Sequence, residues 1–440
     1  MATIVVFLGA GLLLLKSALR RPGLVTLGVL LVAALLNELQ IGVEGVNLGV
    51  TLYISDVACV VLIWTSVLML KKCPENFPSD AKICVALTLL LVLNLSRGIS
   101  TYGLKAAGNG SRDLRDLLLP ALAIMCLGSA LRLDTMRLAR WIGFAGLLFT
   151  AVAVLRWTGL LATPVDPGED FREVARNLTA DAAIVVGQGV IAVLYLHLAA
   201  RRNTWWLVAT GVLGMVTLAL QHRSVWTATA AGVAWLMLRI AQRSPASVLK
   251  FGATAMLALC VITVAVPSSL KIAQEMGTAN IQEVESENST WAWRVAGYEE
   301  ASTRLLSSDP LDLLIGPPCG WAAGFVGENA SSTFIHSRFI DTLANFGVVG
   351  FTVLILWFGM LVKRTGWPKD SISKMASGAY AGGAFIEALL ISQLVYLIPY
   401  IGGLLQGAVL GLIWVAARQN SMPSTNSRVA LTATEHNCLS

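Results

Sequence analysis

Long, continuous apolar runs separated by short polar punctuation fill most of the chain, at about 3–19, 22–38, 50–70, 81–97, 114–131, 138–158, 180–199, 204–220, 225–241, 247–266, 337–362, 376–397 and 400–416. A helix needs roughly 20 apolar residues to cross a bilayer. These runs lack the ten-residue alternation of outer-membrane barrel strands. The pattern therefore predicts an all-α fold, a polytopic membrane bundle of about 12–13 transmembrane helices, the last two being separate spans or one span broken near Pro399. The N-terminal run lacks a basic leader and a small-residue cleavage site and reads as the first span. Four regions follow: an N-terminal bundle of about ten spans (1–266), one large loop or cap (267–335), C-terminal transmembrane helices (336–416) and a disordered tail (417–440).

Composition agrees with this pattern. The chain is 56% hydrophobic and 13% charged, with a mean hydropathy of +0.70. Soluble domains carry about 25% charge, so a water-soluble enzyme, a disordered chain and a nucleic-acid module are excluded. The net charge of +6 divides by side. Alternate threading of the spans places 20 Lys and Arg in one set of loops and 12 in the other, while about 20 acidic residues gather with the 12. The basic set belongs in the cytoplasm by the positive-inside rule. The loop at 267–335 then faces outward, with the N-terminus outside and the C-terminus inside. Seven scattered cysteines without Cys-x-x-Cys indicate neither a zinc site nor a disulfide framework.

Within the long loop, 289–306 predicts a helix N-capped by Ser289, with Trp291, Val295, Tyr298 and Leu305 on one face. Asp309-Pro310 is expected to end it, and Gly316-Pro317-Pro318 to form a rigid turn. Its aromatic residues point to a folded cap. The cytoplasmic loops are too short for a catalytic domain, so chemistry is expected on the outer face.

Two histidines stand at outer span boundaries: His222 in the hinge Gln221-His222-Arg223-Ser224, and His336 opening the span after the loop. An imidazole there can take a proton from a hydroxyl, although boundary histidines also cap helices. Arg223 in the hinge and Arg294 in Trp291-Ala292-Trp293-Arg294 offer planar forks that fit phosphate oxygens. The plainer alternatives are ion pairs, Arg294 with Glu287 or Glu299 and Arg223 with Asp181. The closest carboxylate pairs are Asp113 with Asp116, Glu169 with Asp170, and Asp309 with Asp312; the first two lie among Arg112, Arg115, Arg172 and Arg176, which favours salt bridging over a metal site. Neither a metal nor another cofactor is expected. The one clear midspan charge is Glu387, with no evident partner in the first half.

Four blocks, QHRSVW at 221–226, WAWRVAGYEEA at 291–301, LLIGPPCGW at 313–321 and HSRFIDTLANFGVVGF at 336–351, resemble the signature segments of the O-antigen ligase and polymerase superfamily. That resemblance implies a GT-C-like glycosyltransferase in the bacterial inner membrane, multi-pass, with its active site facing the periplasm. The implied donor is an undecaprenyl-pyrophosphate-linked glycan, and the acceptor a lipid-linked glycan or lipid A core. By the same resemblance the catalytic residues are Arg223, Arg294 and His336. Arg223 and Arg294 would hold the pyrophosphate, helped by Arg172 and Arg176, and His336 would orient or deprotonate the acceptor hydroxyl in a metal-independent, inverting transfer. His222 and Arg338 are secondary candidates, Arg338 facing away from His336 toward a lipid headgroup or an ion pair. Where the family block usually carries Asn after the histidine, this chain has Ser337. Membrane lipids and a chain-length regulator are the implied partners, and no nucleic acid is. The hinge favours a polymerase for exopolysaccharide or O-antigen; an O-antigen ligase contributing to lipopolysaccharide, and a polysaccharide transporter or lipid flippase, are the alternatives.

Overall fold

The computed structural model describes residues 22–39, 46–47, 51–72, 81–131, 133–162, 177–199, 204–242, 290–321, 337–365 and 379–420, with isolated residues between 245 and 278. The apolar run at 3–19, nearly all of 247–266, the tail after 420, and His336, Arg172, Arg176 and Ser289 lie outside them. Among the described residues the elements are α1 Pro22–Glu38, α2 Ile54–Lys72, α3 Ala81–Leu127, α4 Thr135–Trp157, α5 Ala180–Ala199, α6 Thr204–Ala219, α7 Arg223–Ala241, α8 Thr290–Leu306, α9 Pro310–Ile315, α10 Arg338–Arg364, α11 Ala379–Leu397 and α12 Leu404–Asn420. One two-residue antiparallel ribbon, Val46–Asn47 with Thr51–Leu52, precedes α2. Helices α3, α4, α5, α7 and α10 are long and apolar enough to cross a membrane. The shorter apolar α1, α2, α6, α11 and α12 pack among them.

The central helix is α5, in which every residue from Ala182 to Leu196 is buried. A helix apolar on all sides is stable only when other helices surround it. The periphery shows the converse: Val60, Leu89, Val92, Met215 and Leu356 are exposed. Such a girdle of large apolar side chains suits lipid and not water.

Helix α3 unites two of the predicted runs, 81–97 and 114–131, and the polar stretch between them is helical too. A straight helix of that length would measure about 70 Å, yet Cys84 Sγ lies 3.9 Å from Met125 Sδ. The helix folds back at Gly103, whose φ of 83° only glycine adopts readily. It supplies two antiparallel arms, as the sequence required, with the polar turn at their tip.

Small residues set the crossings. A Cβ at Gly146 would lie 3.0 Å from Gly189 Cα, bringing α4 against α5, and one at Gly187 would strike Thr229 of α7. On α12, Gly407 and Gly411 press on Leu117 and Ala121 of α3. Spacing by four on both sides is the close-approach geometry of membrane helices. A buried hydrogen bond of 2.7 Å from Gln188 Nε2 to Gln393 Oε1 joins α5 to α11.

The loop helix stops at Leu306, just before Asp309-Pro310 as expected, and Pro310 then occupies the first turn of a new helix, α9. A proline there lacks only an N–H that has no intrahelical acceptor anyway. The run 337–362 forms α10 as expected, with a kink at Gly347 (φ 62°). On α8, Gly297 and Ala301 are buried, and Val295, Tyr298 and Leu305 are half-buried. The last two runs are separate helices, α11 and α12, around the turn at 398–403.

Replacing Gly407 with Val would put its Cβ about 2.2 Å from the Leu117 carbonyl oxygen. Overpacking of this kind costs about 1–3 kcal/mol, so the thermal midpoint of the detergent-purified variant should fall. An unchanged midpoint would show that α12 and α3 do not cross there.

Candidate functional site

One end of the bundle collects the ends of α1, α4 and α11, the starts of α2, α5, α7, α10 and α12, and the tip of α3. Hydrogen bonds between these segments establish the meeting. Arg156 at the end of α4 donates to Glu38 Oε1 of α1 at 2.6 Å and to the carbonyls of Glu38 and Asn177. Thr179 Oγ1 before α5 donates to Glu38 Oε2 at 2.6 Å. Both side chains of the Arg156–Glu38 pair are 1% exposed. Alternate interhelical connections therefore come together at this end, as alternate threading requires.

Arg338 is the hub of the layer. It is completely buried. Its guanidinium donates to Asp341 Oδ2 at 3.0 Å, to the carbonyls of Ile401 (2.5 Å) and Gly402 (3.1 Å), and to the Asp113 carbonyl at 3.0 Å. One side chain thus ties α10 to the α11–α12 turn and to α3. Of the two sequence-level expectations for Arg338, the ion pair is right and the lipid headgroup is not, since the side chain points inward.

The Gly316–Trp321 turn wedges between the arms of α3. Asn94 Nδ2 donates to the Ile315 carbonyl at 2.6 Å, and Cys319 N to the Asn94 carbonyl at 3.0 Å. Arg97 pairs with Asp312 and donates to the Gly316 carbonyl at 2.7 Å. On its other side Trp321 Nε1 donates to Asn345 Oδ1 at 2.7 Å, and Asn345 Nδ2 to Asp341 Oδ1 at 2.7 Å. The approach is backbone to backbone: a Cβ at Gly320 (φ 92°) would lie 2.7 Å from the Ala106 carbonyl carbon. The loop segment is in this way fastened to the same layer as Arg338.

Arg223 opens α7 after a hinge in which Gln221, with φ of 57°, takes the left-handed conformation. Trp226 Nε1 donates to the Thr217 carbonyl at 2.8 Å and holds α7 against α6. His222 Nε2 lies 2.9 Å from the Leu178 carbonyl oxygen, so its ring helps join this hinge to the start of α5. Helices α7 and α11 run antiparallel, with Gly232 facing Ala388 and Ser392. Nine residues back from Gly232 is about 13 Å along the axis, which sets Arg223 at the level of Tyr400. Arg294 reaches the same turn from α8, with its Cζ 5.2 Å from the centroid of the Tyr400 ring. The two loop arginines singled out in the sequence therefore belong to one end of the bundle.

Among the described residues neither the Arg223–Asp181 nor the Arg294–Glu299 pair forms, and Glu287 lies outside them. Asp181 accepts from Tyr396 Oη at 2.8 Å instead of from Arg223. Arg294 pairs with no carboxylate among the described residues, and its Nε is buried without a hydrogen-bond partner. Its surroundings are phenolic: Tyr400 stacks on Tyr396 with centroids 5.0 Å apart. Burial raises the Tyr298 phenol above its ordinary value, and the Arg294 charge works against that rise.

Arg112 is the residue that sequence reading underrated. Its neighbour Arg115 is neutralised by Asp56 and, at 2.7 Å, by Asp116, as the interleaved charges suggested. Arg112 instead lies over the Tyr53 ring with Cζ 3.8 Å from the centroid, and its buried Nε also has no partner. Only the direction of successive side chains on α3 separates the two arginines, and the sequence does not show which faces a carboxylate. Among the described residues no three His, Cys, Asp or Glu gather as a metal site. Compared with known protein families and with curated proteins, the chain matches none.

Two predictions follow from this geometry. Breaking a buried pair by removing one partner costs about 3–5 kcal/mol. Glu38→Ala and Arg156→Met should each destabilise the protein by that order, and the double variant by less than their sum; simple additivity in thermal unfolding would contradict the direct coupling. Burial pushes the Cys319 thiol up to about 11, against the opposing Arg97 charge. Thiolate is the reactive form, so Cys319 in the folded protein should resist iodoacetamide at pH 8 and react as the pH approaches 11, read by peptide mass spectrometry.

Proposed function

We propose that the protein is a glycosyltransferase of the O-antigen ligase and polymerase type. It moves a glycan from undecaprenyl pyrophosphate to an acceptor sugar hydroxyl at the periplasmic face of the bacterial inner membrane. In this reading the bundle is GT-C-like, and 267–335 is its periplasmic loop. The observation that carries the proposal is Arg294, a guanidinium laid on Tyr400 with no carboxylate partner among the described residues, at the end of the bundle where Arg223 also stands. Four arginines of the same layer, Arg97, Arg115, Arg156 and Arg338, are each matched to a carboxylate. A cation kept from such pairing is suited to an anion that arrives with a substrate.

The chemistry is a displacement at the anomeric carbon. The acceptor oxygen bonds to that carbon while its bond to the pyrophosphate oxygen breaks, with inversion. Arg223 and Arg294 stabilise the negative charge gathering on the leaving undecaprenyl pyrophosphate, which is catalysis by preorganised donors. His336, outside the described residues, takes the acceptor proton. Arg172 and Arg176, also outside them, guide the pyrophosphate. Arg338 and His222 belong to the scaffold, and Arg112 on Tyr53 adds another cation to the same end.

Polymerase and ligase share this donor chemistry, and the hinge block favours the polymerase. Transport draws less support, because Glu387 is already held: Arg239 donates to it twice, at 2.9 and 3.1 Å, and Trp235 Nε1 once, at 2.9 Å. That arginine is the partner the sequence did not reveal.

Removing one preorganised donor typically lowers turnover about 10²–10³-fold. Arg294→Lys and Arg223→Lys keep the charge and lose the fork, so each should reduce transfer from a lipid-linked donor by about that factor without unfolding the protein. Full activity in either would refute bidentate binding. Deleting the gene and inspecting surface glycans decides the acceptor: single attached repeats mean polymerase, and bare core with lipid-linked polymer means ligase.

A further inference from the structure

The layer around Arg338 also holds an acid without a cationic partner. Its carboxylates Glu38, Asp56, Asp116, Asp312 and Asp341 each meet an arginine, and Asp113 is exposed to solvent. Asp181, half-buried in the first turn of α5, meets no cation among the described residues. Its Oδ1 accepts from the Tyr396 hydroxyl at 2.8 Å, and among the described residues no hydrogen bond reaches Oδ2.

Two features hold this carboxylate in place. Gln406 Nε2 donates to the Asp181 carbonyl at 3.0 Å while its Oε1 accepts from Gly403 N at 2.9 Å, which ties the start of α5 to the α11–α12 turn. The second is the missing side chain at Gly403, where a Cβ would lie 2.7 Å from Asp181 Oδ2. Gly402 takes the left-handed conformation in this turn (φ 72°) and Gly403 does not, so what position 403 provides is space beside Oδ2. The acid and the Arg294 cation share one aromatic stack. Arg294 rests on Tyr400, Tyr400 stacks on Tyr396, and Tyr396 holds Asp181. The two rings separate opposite charges.

We infer that Asp181 Oδ2 binds a hydroxyl of the sugar joined directly to the pyrophosphate, accepting its hydrogen bond while Arg294 holds the phosphates. The inference rests on the transferase reading of Arg294. A carboxylate accepts hydrogen bonds and a sugar hydroxyl donates them, and a bond to a charged acceptor is the stronger kind. A cationic ligand would face Arg338, whose guanidinium is bonded to the carbonyls of Ile401 and Gly402 in the same turn. A metal ion would want further ligands, and among the described residues no three His, Cys, Asp or Glu gather. A neutral hydroxyl meets neither objection. Asp181 thereby distinguishes the glycosylated donor from the bare carrier lipid, which is the product that has to leave.

The test uses full-length protein in neutral detergent and native mass spectrometry, with undecaprenyl pyrophosphate bare or carrying one hexose or one N-acetylhexosamine. The native protein should retain at least one glycosylated form about tenfold more strongly than the bare lipid, a hydrogen bond to a charged group being worth roughly that factor. Asp181→Asn still offers Tyr396 an acceptor; it should lose that preference and bind the bare lipid as the native protein does. Gly403→Ala keeps the charge and covers Oδ2, so it should do the same, and it decides the matter if Asp181→Asn unfolds early. A preference that survives in the folded variants, no preference in the native protein, or equal loss of bare and glycosylated lipid in Asp181→Asn would each overturn the inference. In those cases the transferase reading stands as long as the bare lipid binds and Arg294→Lys weakens it. Native protein that binds neither lipid would overturn both.

Discussion

A completely buried guanidinium has to be surrounded by acceptors, and the polar layer at one end of this bundle is built around that requirement. Arg338 takes one carboxylate and three backbone carbonyls, from Asp341, Ile401, Gly402 and Asp113. Carbonyls in a turn are free to accept because no helix claims them. The α11–α12 turn at 398–403 is thereby held against α10 and the tip of α3. Tyr400 is part of this turn, and its ring is the surface on which Arg294 rests. A structural arginine thus fixes the platform for the proposed functional one.

The layer separates two uses of the same residue type. Arg97, Arg115, Arg156 and Arg338 are held by carboxylates and join chain segments far apart in sequence. Arg294 and Arg112 are held by tyrosine faces, which neutralise little charge. A cation–π contact is worth about 0.5–2 kcal/mol, comparable to the cost of leaving a buried donor unmade, about 1–3 kcal/mol. Stability alone gives no reason for the arrangement, whereas an incoming anion does.

The segment just before α10 is held in the same layer. Its stretch 316–321 meets both arms of α3 through glycine contacts in which no Cβ fits, and it meets α10 through Trp321 and Asn345. Gly347, where α10 breaks, lies against Gly316 and Leu314. The Gly-Pro-Pro-Cys-Gly-Trp segment is therefore a wedge, and its glycines answer to close packing more than to turn formation.

The sequence by itself determined the helical class, because runs of apolar residues this long leave few other structures. It also determined that alternate connections meet at one end. Tertiary structure decided the partners. Arg338 and Arg294 both stood in polar blocks beside aromatic residues, yet one is the buried hub and the other lies half-buried on a phenol ring. Asp181 was offered to Arg223 and went to Tyr396; Glu387 lacked a visible partner and received Arg239. Spacing within a helix fixes which residues share a face, but which face meets a neighbour 150 or 200 positions away depends on where small residues such as Gly187, Gly232, Gly407 and Gly411 let two helices approach. Those contacts form between segments, and no local pattern encodes them.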